Sequence, residues 1–199
     1  MQKILIATKN PHKQEKLTEI VSSYFIPQKA DKLEKVEEIG NTFLEISQNK
    51  AIDYSKQYKG FAISTDGGAV IPALGDKWDP LKTKRFGATD KERIDKVLEI
   101  MKDKKDRAVE WYECIAVANN GKIVFSTEAR AMDGVIDKEF NPKYYKEGIW
   151  LCSITSFPQF GGKNFFKLSN EEREAIEDSW SKLKEKFREF MENSKKNNL

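Results

Sequence analysis

Apolar and polar positions along this chain fall into recognisable periods. Ile4-Leu5-Ile6-Ala7 is a short apolar run inside Lys3 to Thr8, which predicts a first strand. Leu17, Ile20, Val21 and Tyr24 follow at helical spacing, predicting a helix from Pro11 to about Tyr24 with one buried face. Asn10 suits its N-cap and Pro11 its first position. Gln28 to Gly40 is polar and rich in Lys and Glu, and predicts a second strand or a loop. Thr42 with Glu45 forms a capping box, so a helix starts there, with Phe43, Ile46 and Ala51 as a partial apolar face. Phe61 to Thr65 reads as a strand between Gly60 and Gly67-Gly68. Thr89-Asp90-Lys91-Glu92 caps a helix carrying Ile94, Val97, Leu98 and Met101 on one face. Val109 to Ala118 and Lys122 to Ile136 read as hairpin strands around Asn119-Asn120-Gly121. Ser169 with Glu172 caps a last helix, whose stripe is Ile176, Trp180, Leu183, Phe187 and Phe190. A polar tail from Asn193 is expected to fray. No repeat and no linker divides the chain. The order predicts an α/β fold, a mixed twisted sheet with helices on both sides, with the long hairpin as a candidate second lobe.

Composition narrows the class. The chain's 199 residues suffice for one domain, or for two lobes around a central cleft. Hydrophobic residues make up 39% and charged residues 34%, a heavily charged surface on a chain that can still fold. The net charge of +3 is too mild to argue for nucleic acid, and runs such as Lys102-Asp103-Lys104-Lys105 read as solvated loops. No apolar run approaches the roughly 18 residues of a membrane span, and Ile4 to Ala7 is too short for a signal peptide core. A cytoplasmic protein without membrane contact is expected. Cys114 and Cys152 make no disulfide framework, and Cys114 reads as a reduced core residue. His12 is the one histidine, which argues against zinc and leaves a Ser-His-Asp hydrolase without a nucleophile motif.

Several charged positions carry candidate chemistry. His12 and Lys13 occupy the first turn of the first helix, with Lys9 just before it. The helix dipole disfavours cations there, so either an anion binds beside them or the lysines point into water. Asp66 follows an apolar strand and precedes two glycines. That placement suits a magnesium ligand or a water-activating base, and equally an ordinary Asp-Gly turn. Gly161-Gly162-Lys163 is not a Walker A loop; Lys163 either reaches a phosphate or is a turn lysine.

The order of these segments resembles the inosine triphosphate pyrophosphatase, or Ham1, family. Thr8-Lys9-Asn10-Pro11-His12-Lys13 resembles its T-x-N-x-x-K signature. Glu38-Ile39-Gly40-Asn41-Thr42-Phe43-Leu44-Glu45, with Lys50-Ala51, resembles E-x-G-x-T-F-x-E-N-A-x-x-K-A. Ile63-Ser64-Thr65-Asp66-Gly67-Gly68, running to Ala73-Leu74-Gly75, resembles A-D-D-S-G-L with its A-L-G end. Lys84-Arg85-Phe86-Gly87 resembles S-A-R-Y-x-G, and the likeness covers roughly the first 135 residues. It implies a two-lobed α/β fold with a cleft, commonly a homodimer. It also implies magnesium-dependent hydrolysis of a nucleoside triphosphate to monophosphate and pyrophosphate. That chemistry needs cations for the triphosphate, acids for magnesium and an activated water. Lys13 is then the phosphate cation, with Thr8 and Asn10 as hydrogen-bond partners and Lys9 beside them. Lys50 is a second cation, where spacing alone reads as an exposed helix lysine. Asp66 and Lys13 are the catalytic candidates, and Glu38 joins Asp66 as a metal ligand. Gly67 lets substrate come close, and Arg85 lies near the phosphates or a dimer contact.

Departures from the family pattern matter as well. Thr65 stands where the family has the first of two aspartates, Gly67 where it has Ser, and Ile46 where it has Asn. The F-G-Y-D-P and S-H-R segments that hold the purine are missing. Gly148-Ile149-Trp150-Leu151-Cys152 and Glu177-Asp178-Ser179 fall near their places. Trp150 either stacks on a base or is a core aromatic. Glu177 and Asp178 offer acceptors, which suit a base edge with an amino group and imply a base preference altered from inosine and xanthosine. The alternatives are a nucleotide-binding protein of the same fold with impaired catalysis, and an unrelated hydrolase or interaction domain.

Overall fold

The computed structural model describes residues 1–30, 34, 36–176 and 178–196. The chain divides into two compact units. The first comprises Met1–Gly67, Tyr112–Ala129 and Ser179–Leu199, and the second Gly68–Trp111 and Arg130–Asp178. The divisions fall inside or at the ends of regular elements, so no linker composition marks them.

In the first unit, β1 (Gln2–Ile6) lies between β2 (Phe25–Lys29) and β3 (Phe61–Val70), parallel to both. Ile4, Leu5 and Ile6 are all buried, as a central parallel strand covered on both faces requires. Pro27 sits on β2, an end strand of the sheet, where proline is tolerated. β3 neighbours β4 (Ala108–Asn119), which pairs with β5 (Lys122–Arg130). Asn120 and Gly121 join them with φ of 47° and 84°, the left-handed pair of a two-residue hairpin turn. Residues 112–129 of this hairpin belong to the first unit, so the hairpin does not form the second lobe.

Helices α1 (Pro11–Val21), α2 (Phe43–Tyr58) and α5 (Asp178–Lys196) complete this unit. Leu17, Ile20 and Val21 from α1 and Trp180, Leu183 and Phe187 from α5 pack with Ile4, Ile6, Ile63, Ile115 and Val117. Phe187 is edge-on to Tyr24 and Phe125 at 5.9 and 5.6 Å between centroids. α5 runs to Lys196, past Asn193 where a frayed tail was expected.

The second unit holds α3 (Asp90–Met101), α4 (Asn170–Ile176), the start of β4, and the antiparallel strands β6 (Gly134–Ile136), β7 (Thr155–Phe157) and β8 (Lys163–Asn164). Ile71, Leu74, Trp78, Ile94, Val97, Met101, Val109 and Ile136 form its main core. The strand expected over Lys122 to Ile136 is broken between β5 and β6. There Arg130 Nε donates to Asp133 Oδ1 at 2.8 Å. The last helix expected after Ser169 is seen as α4 and α5, and position 177 between them lies outside the described residues. Among the described residues no helix is long and apolar enough to cross a membrane. Neither Cys114 nor Cys152 forms a disulfide.

Candidate active site

Four elements of the first unit bring charged side chains to one place. α1 supplies Lys13. Asn10 caps this helix, its Oδ1 accepting from Lys13 N at 3.2 Å, and Asn10 N in turn donates to Thr8 Oγ1 at 3.3 Å. The Gln14 amide donates to Thr8 O at 2.8 Å, which fixes the strand-to-helix turn. Lys13 itself is only one-fifth exposed, and its Nζ donates to Glu113 Oε2 at 3.2 Å.

α2 supplies Lys50. Thr42 Oγ1 accepts from Glu45 N at 3.1 Å, the cap read from the sequence, and Glu45 Oε2 accepts from Asn41 N, one residue before the cap, at 2.7 Å. Lys50 is buried on the inner face with Ile46, Ser47, Ala51 and Tyr54, not exposed as a spacing argument alone suggests. Its Nζ donates to Glu38 Oε1 at 3.3 Å and to Thr65 O at 3.1 Å. A buried ammonium requires such partners.

β3 supplies Asp66. The strand does not stop at Thr65; it continues through Asp66, Gly67 and Gly68 to Val70. Asp66 is therefore a strand residue rather than a turn aspartate. Gly67 is needed for close approach: a Cβ there would lie 2.5 Å from the carboxyl carbon and Oε2 of Glu113 and would also collide with Tyr112 O. β4 supplies Glu113, whose Oε2 also accepts from Thr65 Oγ1 at 3.3 Å.

The electrostatics follow from this crowding. Burial raises the Asp66 pKa above its ordinary value; Lys50 and Lys13 pull it down, Glu38 pushes it up, and the Gly67 N–H favours the anion. Burial likewise raises Glu113, opposed by Lys13 and Thr65 and reinforced by the Asp66 charge. Carboxylate oxygens are the hard ligands that magnesium takes, and two partly neutralising lysines stand beside them. Asp66 and Glu38 therefore fit a divalent cation by the chemistry of their donors.

Glu113 is the residue that sequence reasoning missed. Its one visible signal was a carboxylate set directly before the apolar run Cys114, Ile115 and Ala116, all buried. Its partner Lys13 lies 100 positions away, beyond any local pattern. Lys9 and Asn10 are exposed at the α1 turn. The remaining candidates belong to the second unit. Arg85 is exposed on a 3-10 segment, Pro80–Phe86. Trp150 is buried in the core, edge-on to Trp78 at 6.2 Å, which favours the packing reading over base stacking. Lys163 Nζ is paired with Glu172 Oε1 at 2.6 Å on the surface. Asp178 is the first residue of α5, and Glu177 lies outside the described residues.

Residues 4–185 match the sequence profile of the Ham1 family. The chain belongs to the Ham1 family. A dITP/XTP pyrophosphatase of Gloeobacter violaceus is 29% identical over 137 residues, covering 68% of this chain and 69% of that protein. One of Coxiella burnetii is 34% identical over 127 residues, covering 60% and 64%. The chain thus spans about two thirds of the length of these relatives. A solved Ham1 protein from Coxiella burnetii superposes with a TM-score of 0.79 at 26% identity, covering 95% of this chain and all of that one. The Staphylococcus aureus Ham1 protein shares the fold at a TM-score of 0.77 and 21% identity. The Ham1 match reaches well past the first 135 residues, into α5. The second unit therefore belongs to the family fold.

Proposed function

We propose that this Ham1 chain is a magnesium-dependent nucleoside triphosphate pyrophosphatase that converts a (d)NTP and water to a (d)NMP and pyrophosphate. The observation that carries the reading is the meeting of Lys13 and Lys50 with Glu38, Asp66 and Glu113 in the first unit. The Coxiella and Gloeobacter relatives are named for this activity on dITP and XTP, which supports the same reaction class.

In this mechanism Lys13 leaves its carboxylate partner for the triphosphate, while Lys50, anchored on Thr65 O, neutralises further charge. Thr8 and Asn10 hold the turn that aims Lys13. Glu38 and Asp66 would hold the magnesium ion, which when bound withdraws charge from the phosphates and lowers the pKa of water. Asp66 accepts the proton of the attacking water, a task that suits an acid whose pKa burial has raised. The water oxygen bonds to phosphorus as the bridge between the α and β phosphates breaks. Monophosphate and pyrophosphate leave.

The base preference is proposed to differ from that of the dITP/XTP relatives, because Trp150 is packed in the core and no S-H-R triplet is present. A homodimer in the cytoplasm is the working expectation. The test is a panel of ribo- and deoxyribonucleoside triphosphates, including inosine and xanthosine forms, with magnesium. Pyrophosphate release without orthophosphate is expected, fastest for a base other than hypoxanthine or xanthine. Tight binding with no turnover of any substrate would instead favour a nucleotide-binding protein that has lost catalysis.

A further inference from the structure

Glu113 enters the mechanism above only as the partner that Lys13 gives up. The two faces of the sheet show what this carboxylate can reach. Ile63 of β3 and Ile115 and Val117 of β4 pack against α1 and α5. Ala62 of β3 packs with Tyr54 of α2, and Ala116 and Ala118 of β4 with Ala51. Side chains alternate along a strand, so Thr65, Gly67 and Glu113 share the α1 face, whereas Asp66 turns to the α2 face. Glu113 is therefore set to act on Lys13 and not on Asp66.

The carboxylate is the fixed member of its pair. Thr65 Oγ1 and Lys13 Nζ both donate to Oε2, at 3.3 and 3.2 Å. Gly67 leaves the space that the carboxyl group fills, since a Cβ there would lie 2.5 Å from it. Lys13 is the mobile member, an ammonium on a flexible four-carbon stem. Lys50 is held differently. One of its bonds runs to a neutral carbonyl, Thr65 O, and its acid, Glu38, has a side chain 63% exposed. The Glu113 side chain is only 20% exposed, so water and salt screen its hold on Lys13 far less.

We infer that Glu113 competes with phosphate for Lys13, lowering the site's affinity for phosphate ligands and taking the lysine back as pyrophosphate leaves. A ligand gains from Lys13 only what exceeds the Glu113 pairing. Weakening substrate and product alike removes uniform binding, which does not speed the chemical step but does shorten the stay of the product. The inference rests on reading Lys13 as the phosphate cation of a pyrophosphatase.

Calorimetric binding of inorganic pyrophosphate to the whole protein, with magnesium present, tests it. Glu113→Gln keeps the size of the side chain and removes its charge. It is expected to bind pyrophosphate about tenfold more tightly than wild type, the scale of one hydrogen bond to a charged group. In a Lys13→Met background the same substitution is expected to give no gain. A merely structural pair predicts the opposite sign, because a loosened Lys13 would bind phosphate less well. Should Glu113→Gln fail to fold, Glu113→Asp, which withdraws the carboxylate by one methylene, is expected to tighten binding by a smaller factor. Unchanged or weaker pyrophosphate binding in a folded Glu113 variant would overturn the inference. So would a gain that persists without Lys13, or pyrophosphate binding to neither wild type nor variant. Turnover is read separately: a wild type that shows this binding pattern yet hydrolyses no triphosphate would sink the pyrophosphatase reading and leave the competition for Lys13 standing.

Discussion

Asp66 carries opposing demands at the level of a single residue. Burial makes its charged form costly, while Lys50 and Lys13 make that form useful. Its proton is held more tightly in the folded state than in the unfolded one. The stability tied to that proton is full below the ordinary value of 3.8 and is lost as pH rises through the raised one. Asp66→Asn should therefore melt at a higher temperature than wild type at pH 7, and the gap should close as pH falls toward 3.8. Scanning calorimetry across pH checks this. Lys50→Met keeps the length of the side chain and removes its charge. A hydrogen bond to a charged group is worth about 1.5–3 kcal/mol, so KM should rise about tenfold to a hundredfold. Steady-state kinetics would show it. Lys13, Lys50 and Asp66 were legible in the sequence through their motifs. That Lys50 is buried was not, because its stretch of helix is polar and only the partners Glu38 and Thr65 make burial tolerable.

At the scale of elements, caps and turns were the readable signals because their chemistry is local. Thr42 and Thr89 each accept from the N–H three residues on, and both helices start where the capping boxes place them. Thr42→Ala should cost about 1 kcal/mol, read as a lower urea midpoint with unchanged slope. It should also loosen the helix that presents Lys50. Gly67-Gly68 misled because glycine pairs usually end a strand. Here β3 continues, and the glycine answers to side chains on β4 that no local window contains. The break between β5 and β6 carries an Arg130–Asp133 pair that is ordinary as sequence.

For the whole molecule, the α/β class and most elements could be read from periodicity. The division into two units could not, since it cuts through β3 and β4 where composition does not change. The apolar stripe of α5 reads equally well as core or partner surface. Its Trp180, Leu183 and Phe187 turn out to be core residues of the first unit, packed on β1, β3 and β4. Phe187→Ala should destabilise the protein by about 3–5 kcal/mol, measured by urea unfolding. The central claim is that the charged cluster of this first unit performs the chemistry rather than only binding nucleotide. Its most direct test compares wild type with Asp66→Asn for two readouts, pyrophosphate release with magnesium and calorimetric affinity for a non-hydrolysable triphosphate. The account predicts that Asp66→Asn loses at least about a hundredfold in turnover, the lower bound for removing a positioned base, while still binding the analogue. Turnover equal to wild type in a folded Asp66→Asn protein would contradict it.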